Sequence, residues 1–146
     1  MDTSFEQDRL VGSEQQTDGP HLVHRLRRLR RTPGLRALVQ ETRLTTDDLM
    51  LPLFVVDGSE ESEPVESMPG VFRESVDRTV KRARSATEVG IRAVILFGIP
   101  DSKDASGSRS HDPEGSVQRA ATALKEELPD LVVVADTCMC EYTDHG

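Results

Sequence analysis

Leu131-Val132-Val133-Val134-Ala135-Asp136-Thr137-Cys138-Met139-Cys140-Glu141-Tyr142-Thr143-Asp144-His145-Gly146 is the stretch whose reading decides the fold. It opens with a short, continuous apolar run made mostly of valine, the pattern of a strand buried on both faces. The run leads into an acid, Asp136, and then into the only two cysteines of the chain, Cys138 and Cys140. A buried strand that delivers an acid and two potential thiolates at its C-terminal end is built like the rim of an α/β active site.

In extended backbone, residues i and i+2 point to the same side, so Cys138 and Cys140 face one way and Met139 the other. Their Cβ atoms are then expected roughly 6–7 Å apart, close enough for side-chain rotation to aim both sulfurs at one tetrahedral ion. Two ligands are too few. A catalytic zinc takes three protein ligands and keeps one open position, and a structural zinc takes four. Taken alone, Cys-x-Cys also suits an inert or merely oxidisable pair. A disulfide between the two would close a strained small ring and is not expected.

The run Asp136-Thr137-Cys138-Met139-Cys140-Glu141-Tyr142-Thr143-Asp144-His145-Gly146 resembles the metal-binding signature of porphobilinogen synthase, also called delta-aminolevulinic acid dehydratase. In zinc-dependent members the signature continues past His-Gly with another histidine and a third cysteine. Magnesium-type relatives carry alanine and aspartate at the cysteine positions, so the resemblance points to the zinc type. It implies a lyase that joins two molecules of 5-aminolevulinate into porphobilinogen, with loss of water, on the route to haem and other tetrapyrroles. It implies Cys138 and Cys140 as metal ligands, zinc as the metal, and Asp136 as a catalytic acid at the end of the third strand. An ordinary strand-terminal acid capping nearby backbone is the plainer reading of Asp136. Thr137, Tyr142 and Thr143 are expected to support the loop, and His145 to order it. The family's Schiff-base lysines have no counterpart at a strand end here: Lys81, Lys103 and Lys125 are the only lysines. The chain is therefore expected to be an N-terminal fragment, inactive alone.

Composition narrows the alternatives. A chain of 146 residues normally makes one domain. A net charge of −8 argues against nucleic acid or anionic membrane as the main partner. No apolar run approaches the roughly 18 residues that cross a bilayer, and the N-terminus is polar and acidic rather than a secretory signal. Two neighbouring cysteines in a polar chain fit a reducing cytoplasm. The one basic block, His24-Arg25-Leu26-Arg27-Arg28-Leu29-Arg30-Arg31, reads alone as a nucleic-acid patch or as an arm laid on an acidic protein surface. The acidic remainder favours the arm. The resemblance implies an arm that wraps a neighbouring subunit in a homo-oligomer, an octamer in the family.

Residues 1–20 are polar and aperiodic and read as a tail. Residues 1–33 are expected to form tail and arm, and 34–146 the first part of an incomplete barrel. A short amphipathic helix is expected over 35–42 and a first buried strand over 49–56, starting at or just after Pro52. An acidic loop over 59–66 and a Pro69-Gly70 turn follow. Ser75 is expected to cap a helix reaching Val89, with Val76, Val80, Ala83 and Ala86 buried and Gly90 as its stop. A second buried strand is expected over 91–99. The polar loop over 100–113, with Lys103 and Gly107, is expected at the same rim as the cysteines, and loops of that length are often lids. A helix over 114–128 is expected to bury Val117, Ala121, Leu124 and Leu128.

Alternating buried strands and helices mean α/β architecture, parallel pairing and right-handed crossovers. Periodicity leaves an open doubly wound sheet and a barrel both standing. No Gly-x-Gly-x-x-Gly follows a strand, so a dinucleotide site has no support. The resemblance, over roughly residues 24–146, implies a (β/α)8 TIM barrel, of which this length supplies about three βα units. Two other classes compete: a small zinc-binding interaction module in which His145 joins the cysteines, and an arginine-rich nucleic-acid binder.

Overall fold

The computed structural model describes residues 27–146. The tail over 1–20 and the first three residues of the basic block lie outside the described residues. The chain divides into two compact units between Thr42 and Arg43. In the first, a 3-10 turn at Arg28–Arg30 precedes α1, Pro33–Leu38. The Thr32 side chain accepts a hydrogen bond from the Leu35 amide at 3.2 Å, and Pro33 holds the first helical position. These start signals set the helix earlier than the expected 35–42, and it ends at Leu38.

The second unit is built on one sheet with strand order β2-β3-β1-β4-β5. Its parallel core is β1 (Met50–Val56), β4 (Ala93–Ile99) and β5 (Val132–Ala135), neighbours in chain order. The crossovers are α2 (Val76–Glu88) and α3 (Ser116–Glu127). Leu53, Val55, Val94 and Leu96 alternate along β1 and β4 and meet Ala83, Val117, Ala120 and Leu124 of the helices in one core. On the opposite sheet face Phe54 and Phe97 stack with ring centroids 5.3 Å apart and are only half-buried.

Among the described residues the expected burial of the strands is met on the helix-covered face alone, and least by the valine run. Only one face is covered by helices among the described residues, and β5 is the last strand of the sheet, leaving Val132 55% exposed. Pro52 also lies inside β1 rather than at its start. β3 (Phe72–Ser75) pairs only with Phe54 to Val56, so the ladder on that side begins beyond the proline.

The acidic loop holds a short strand that composition concealed, β2 (Ser62–Pro64), antiparallel to β3. Ser-Glu-Pro has low strand propensity, and the pairing comes from its partner, with Glu63 opposite Arg73 and 3.5 Å from its guanidinium. Between them the Val71 amide donates to the Met68 carbonyl at 3.0 Å across Pro69 and Gly70, whose φ of +86° makes this a type II turn.

Ser75 does hold the N-cap position of α2, but its hydroxyl caps nothing: it donates to Asp77 Oδ1 at 2.7 Å. The helix stops at a Schellman motif, with Gly90 at φ +94° and the Ile91 amide donating to the Ala86 carbonyl at 3.0 Å. Thr79 and Ala83 are its fully buried residues, with Val76 and Val80 packed against the core from its margin. On α3 it is Ala120, not Ala121, that is fully buried, because Ser116 anchors the helix start under the sheet through a 3.3 Å bond to the Val55 carbonyl.

Candidate active site

The chemistry-bearing residues gather at the C-terminal ends of β1, β4 and β5. Asp136 follows β5, and its amide donates to the Leu96 carbonyl at 3.0 Å, carrying the ladder one residue past the strand. The chain then turns. Met139–Glu141 form a 3-10 turn, so Cys138 and Cys140 do not lie on an extended strand as expected. The turn draws their Cα atoms to 5.5 Å and puts both sulfurs on one side, where they are joined as a disulfide. The expectation against that bond rested on the strain of so small a ring, and the structure overturns it, the curl of the chain bringing the two residues within bonding reach.

Oxidised, the pair cannot act as thiolates. Reduced on the same backbone, it aims two soft donors at one point, which suits a borderline ion such as zinc as a partial ligand set. Among the described residues no group of three or more His, Cys, Asp and Glu side chains is placed to hold a metal. His145 is exposed, and among the described residues it is not grouped with the cysteines.

Glu141 was not singled out from sequence, yet it braces the loop. Its Oε2 accepts a 3.1 Å hydrogen bond from the Gly98 amide. β5 pairs no further than Leu96, so this carboxylate takes the place of a strand partner for β4. Burial pushes the Glu141 carboxyl above its ordinary range, the Gly98 amide pulls against that, and the Asp136 carboxylate beside it adds to the rise. Tyr142 is buried, and its phenol is raised by burial first and by the charges of Glu141 and Asp136 after that.

Gly98 is the socket for this tyrosine. A Cβ there would run into the Tyr142 hydroxyl and lie 2.8 Å from Val117 Cγ2. The signal was present in the sequence as a glycine inside an apolar strand, which marks a close approach.

The loop over 100–113 does lie at the cysteine rim, as expected, but it is pinned rather than free. Asp104 forms an isolated parallel bridge with Thr143. Its amide donates to the Tyr142 carbonyl at 3.3 Å, and its carbonyl accepts from the Asp144 amide at 3.2 Å. Asp104 Oδ1 accepts from the Ser106 amide and hydroxyl, both at 2.9 Å, and from the Ser108 amide at 3.1 Å. Oδ2 accepts from the Ser108 hydroxyl. These bonds, those of Ser108 foremost, hold the carboxyl far below the usual carboxylate range. Lys103 Nζ donates to the Cys140 carbonyl at 3.1 Å. A second tie runs from the end of β1, where Asp57 accepts from Arg109 at 3.2 Å and from Arg119 of α3.

A family model described as delta-aminolevulinic acid dehydratase matches residues 23–146. Proteins of that name from Methanothermus sociabilis and Synechococcus elongatus are 48% and 50% identical over 122 and 124 residues, which are 84% and 85% of this chain. The chain spans about 38% of the length of these curated relatives. A crystal structure of the Toxoplasma gondii enzyme in complex with its reaction product porphobilinogen superposes with a TM-score of 0.77 at 37% identity, over 83% of this chain and 35% of that one. The likeness makes this sheet and its helices part of a (β/α)8 barrel, with the cysteine loop at the strand ends where such barrels carry their chemistry. With match, structure and signature in agreement along the same residues, the chain belongs to the delta-aminolevulinic acid dehydratase family, a family of metalloenzymes.

Proposed function

We propose that the chain supplies the first barrel strands and two metal ligands of a porphobilinogen synthase that condenses two molecules of 5-aminolevulinate with loss of water. The carrying observation is the convergence of the Cys138 and Cys140 sulfurs beside Asp136 at the end of β5, in a chain of this family. Cys138 and Cys140, once reduced, would hold zinc together with a third donor. When bound, such an ion supplies Lewis acidity and a place for water. Asp136 sits half-buried at the rim beside the Glu141 carboxyl, which burial pushes above its ordinary range. That pair is suited to orienting a substrate amine. Lys81 and Lys125 lie on helices and Lys103 in a loop, so no strand-end lysine of this chain offers a Schiff base, and the 146 residues alone are expected to form no pyrrole. Residues 1–33 are proposed to serve as tail and subunit-wrapping arm of a homo-oligomer, and 34–146 as the barrel portion.

The test is a chimera in which residues 27–146 replace the matching segment of a full-length relative. Pyrrole formation from 5-aminolevulinate should survive the exchange. It should fall at least a hundredfold in Cys138→Ser and Cys140→Ser versions, with loss of about one zinc per chain. Full activity without either thiol, or an inactive but well-folded chimera, would remove the assignment.

A further inference from the structure

The cysteine loop is not self-supporting. From Cys138 onward its one strand-like neighbour among the described residues is a single residue of the β4–α3 loop, Asp104, which pairs with it through backbone at Tyr142, Thr143 and Asp144. That residue is itself fixed by four hydrogen bonds from Ser106 and Ser108 to its carboxylate. Two further contacts continue the seam. Lys103 donates to the Cys140 carbonyl at 3.1 Å, and Gly107, in the left-handed region at φ +63°, lets Met139 approach so closely that a Cβ would stand 2.6 Å from its methyl carbon.

We propose that Asp104 is a positioning residue for the cysteine loop: its carboxylate folds the β4–α3 loop into a clamp that fixes the Cys138–Cys140 spacing toward a shared divalent cation. The clamp deepens the reading above and rests on it for the identity of the ion. It does not touch the ion or the sulfurs. Asp104 acts through the backbone of residues 142–144 and through the placement of Lys103 and Gly107 at the turn.

The experiment uses the full chain, reduced, with Co²⁺ as the probe ion and backbone amide exchange as a readout that needs no ion. Asp104→Ala should speed exchange of the Asp144 and Ser108 amides by about tenfold or more, the factor associated with losing a charge-assisted hydrogen bond. Amides of β1 and β4 should be unaffected. The sulfur-to-cobalt charge-transfer absorption should require about tenfold more Co²⁺, and Asp104→Asn, which keeps the Oδ1 acceptor, should recover most of both effects. Unchanged exchange at Asp144, or faster exchange with unchanged cobalt affinity, overturns the clamp. If Asp104→Ala loses its fold, Ser108→Ala, which removes only the hydroxyl contact, carries the same expectations in the same order. Should the wild-type chain show no cobalt absorption at all, the proposed role toward a cation falls, and amide exchange still decides whether Asp104 orders the loop.

Discussion

Replacing Gly98 with alanine adds a single methyl at the tightest contact between sheet and site. The new carbon would meet the Tyr142 hydroxyl and lie 2.8 Å from Val117 Cγ2 and 3.2 Å from Tyr142 Cζ. One neighbour is a short branched side chain of α3, fully engaged in the core, and cannot swing away. The tyrosine must therefore shift, and the turn that carries Cys140 shifts with it. Overpacking of this kind costs about 1–3 kcal/mol. Reduced freedom of the unfolded chain returns about 0.4–1 kcal/mol when glycine becomes alanine. The collision is the larger effect, and the net loss is expected near 1–2 kcal/mol. With a urea dependence of about 2 kcal/mol per M, the unfolding midpoint should fall by about 0.5–1 M.

Circular dichroism measures that midpoint. The chain has one tyrosine and no tryptophan, so its intrinsic emission reports on Tyr142 alone. That signal should change in folded Gly98→Ala at concentrations of urea far below the transition. Tyr142→Phe removes the atom met first, so the double variant should be less destabilised than the two single variants added together, by about 0.5–1 kcal/mol. A midpoint unchanged by Gly98→Ala, with the tyrosine emission unaltered, would refute the socket, as would strict additivity of the pair.

Asp57→Asn removes the charge that Arg109 and Arg119 share at the end of β1, and should cost about 1–2 kcal/mol, the guanidinium groups being partly solvated. Urea unfolding checks it, with Asp112→Asn as a near-neutral comparison, because its ion pair with Arg109 is long, at 3.5 Å, and asparagine keeps the Oδ1 acceptor for the Glu114 amide. Asp77 is held down to about 2 by the Ser75 hydroxyl foremost, with burial opposing and the Glu60 amide adding. A carboxyl lowered on folding stabilises the native state above its unfolded value near 4, and that contribution disappears as pH falls from there toward 2. Amide exchange at the start of α2 should therefore accelerate across that interval, and Asp77→Asn should flatten the dependence.

Most of the fold was legible because it rests on periodic signals. The apolar runs gave three parallel strands, and Gly90 and the spacing of Val117 and Leu124 placed the helices. The second sheet face is bare in a stretch that spans about 38% of its relatives' length, and a valine-rich run reads the same with or without its cover. β2 was hidden because its pairing is dictated by β3 across the turn, not by its own residues. At the site, Asp136 and the cysteines stand out by type, while Glu141 and Asp104 do not. Their roles are bonds to backbone far away in sequence, at Gly98 and at Tyr142 and Asp144, and no local pattern encodes such a partner. The turn at Met139–Glu141 was missed for the same reason, and the extended geometry assumed for the two sulfurs went with it.

Glu141 on Gly98 and Asp104 beside Thr143 hold the loop by contacts that involve neither sulfur. Under the proposed ligand set, scaffolding and metal chemistry would fall to different residues. Substituting the two sulfur-bearing positions would then change the donors offered to an ion and leave the frame of the loop standing.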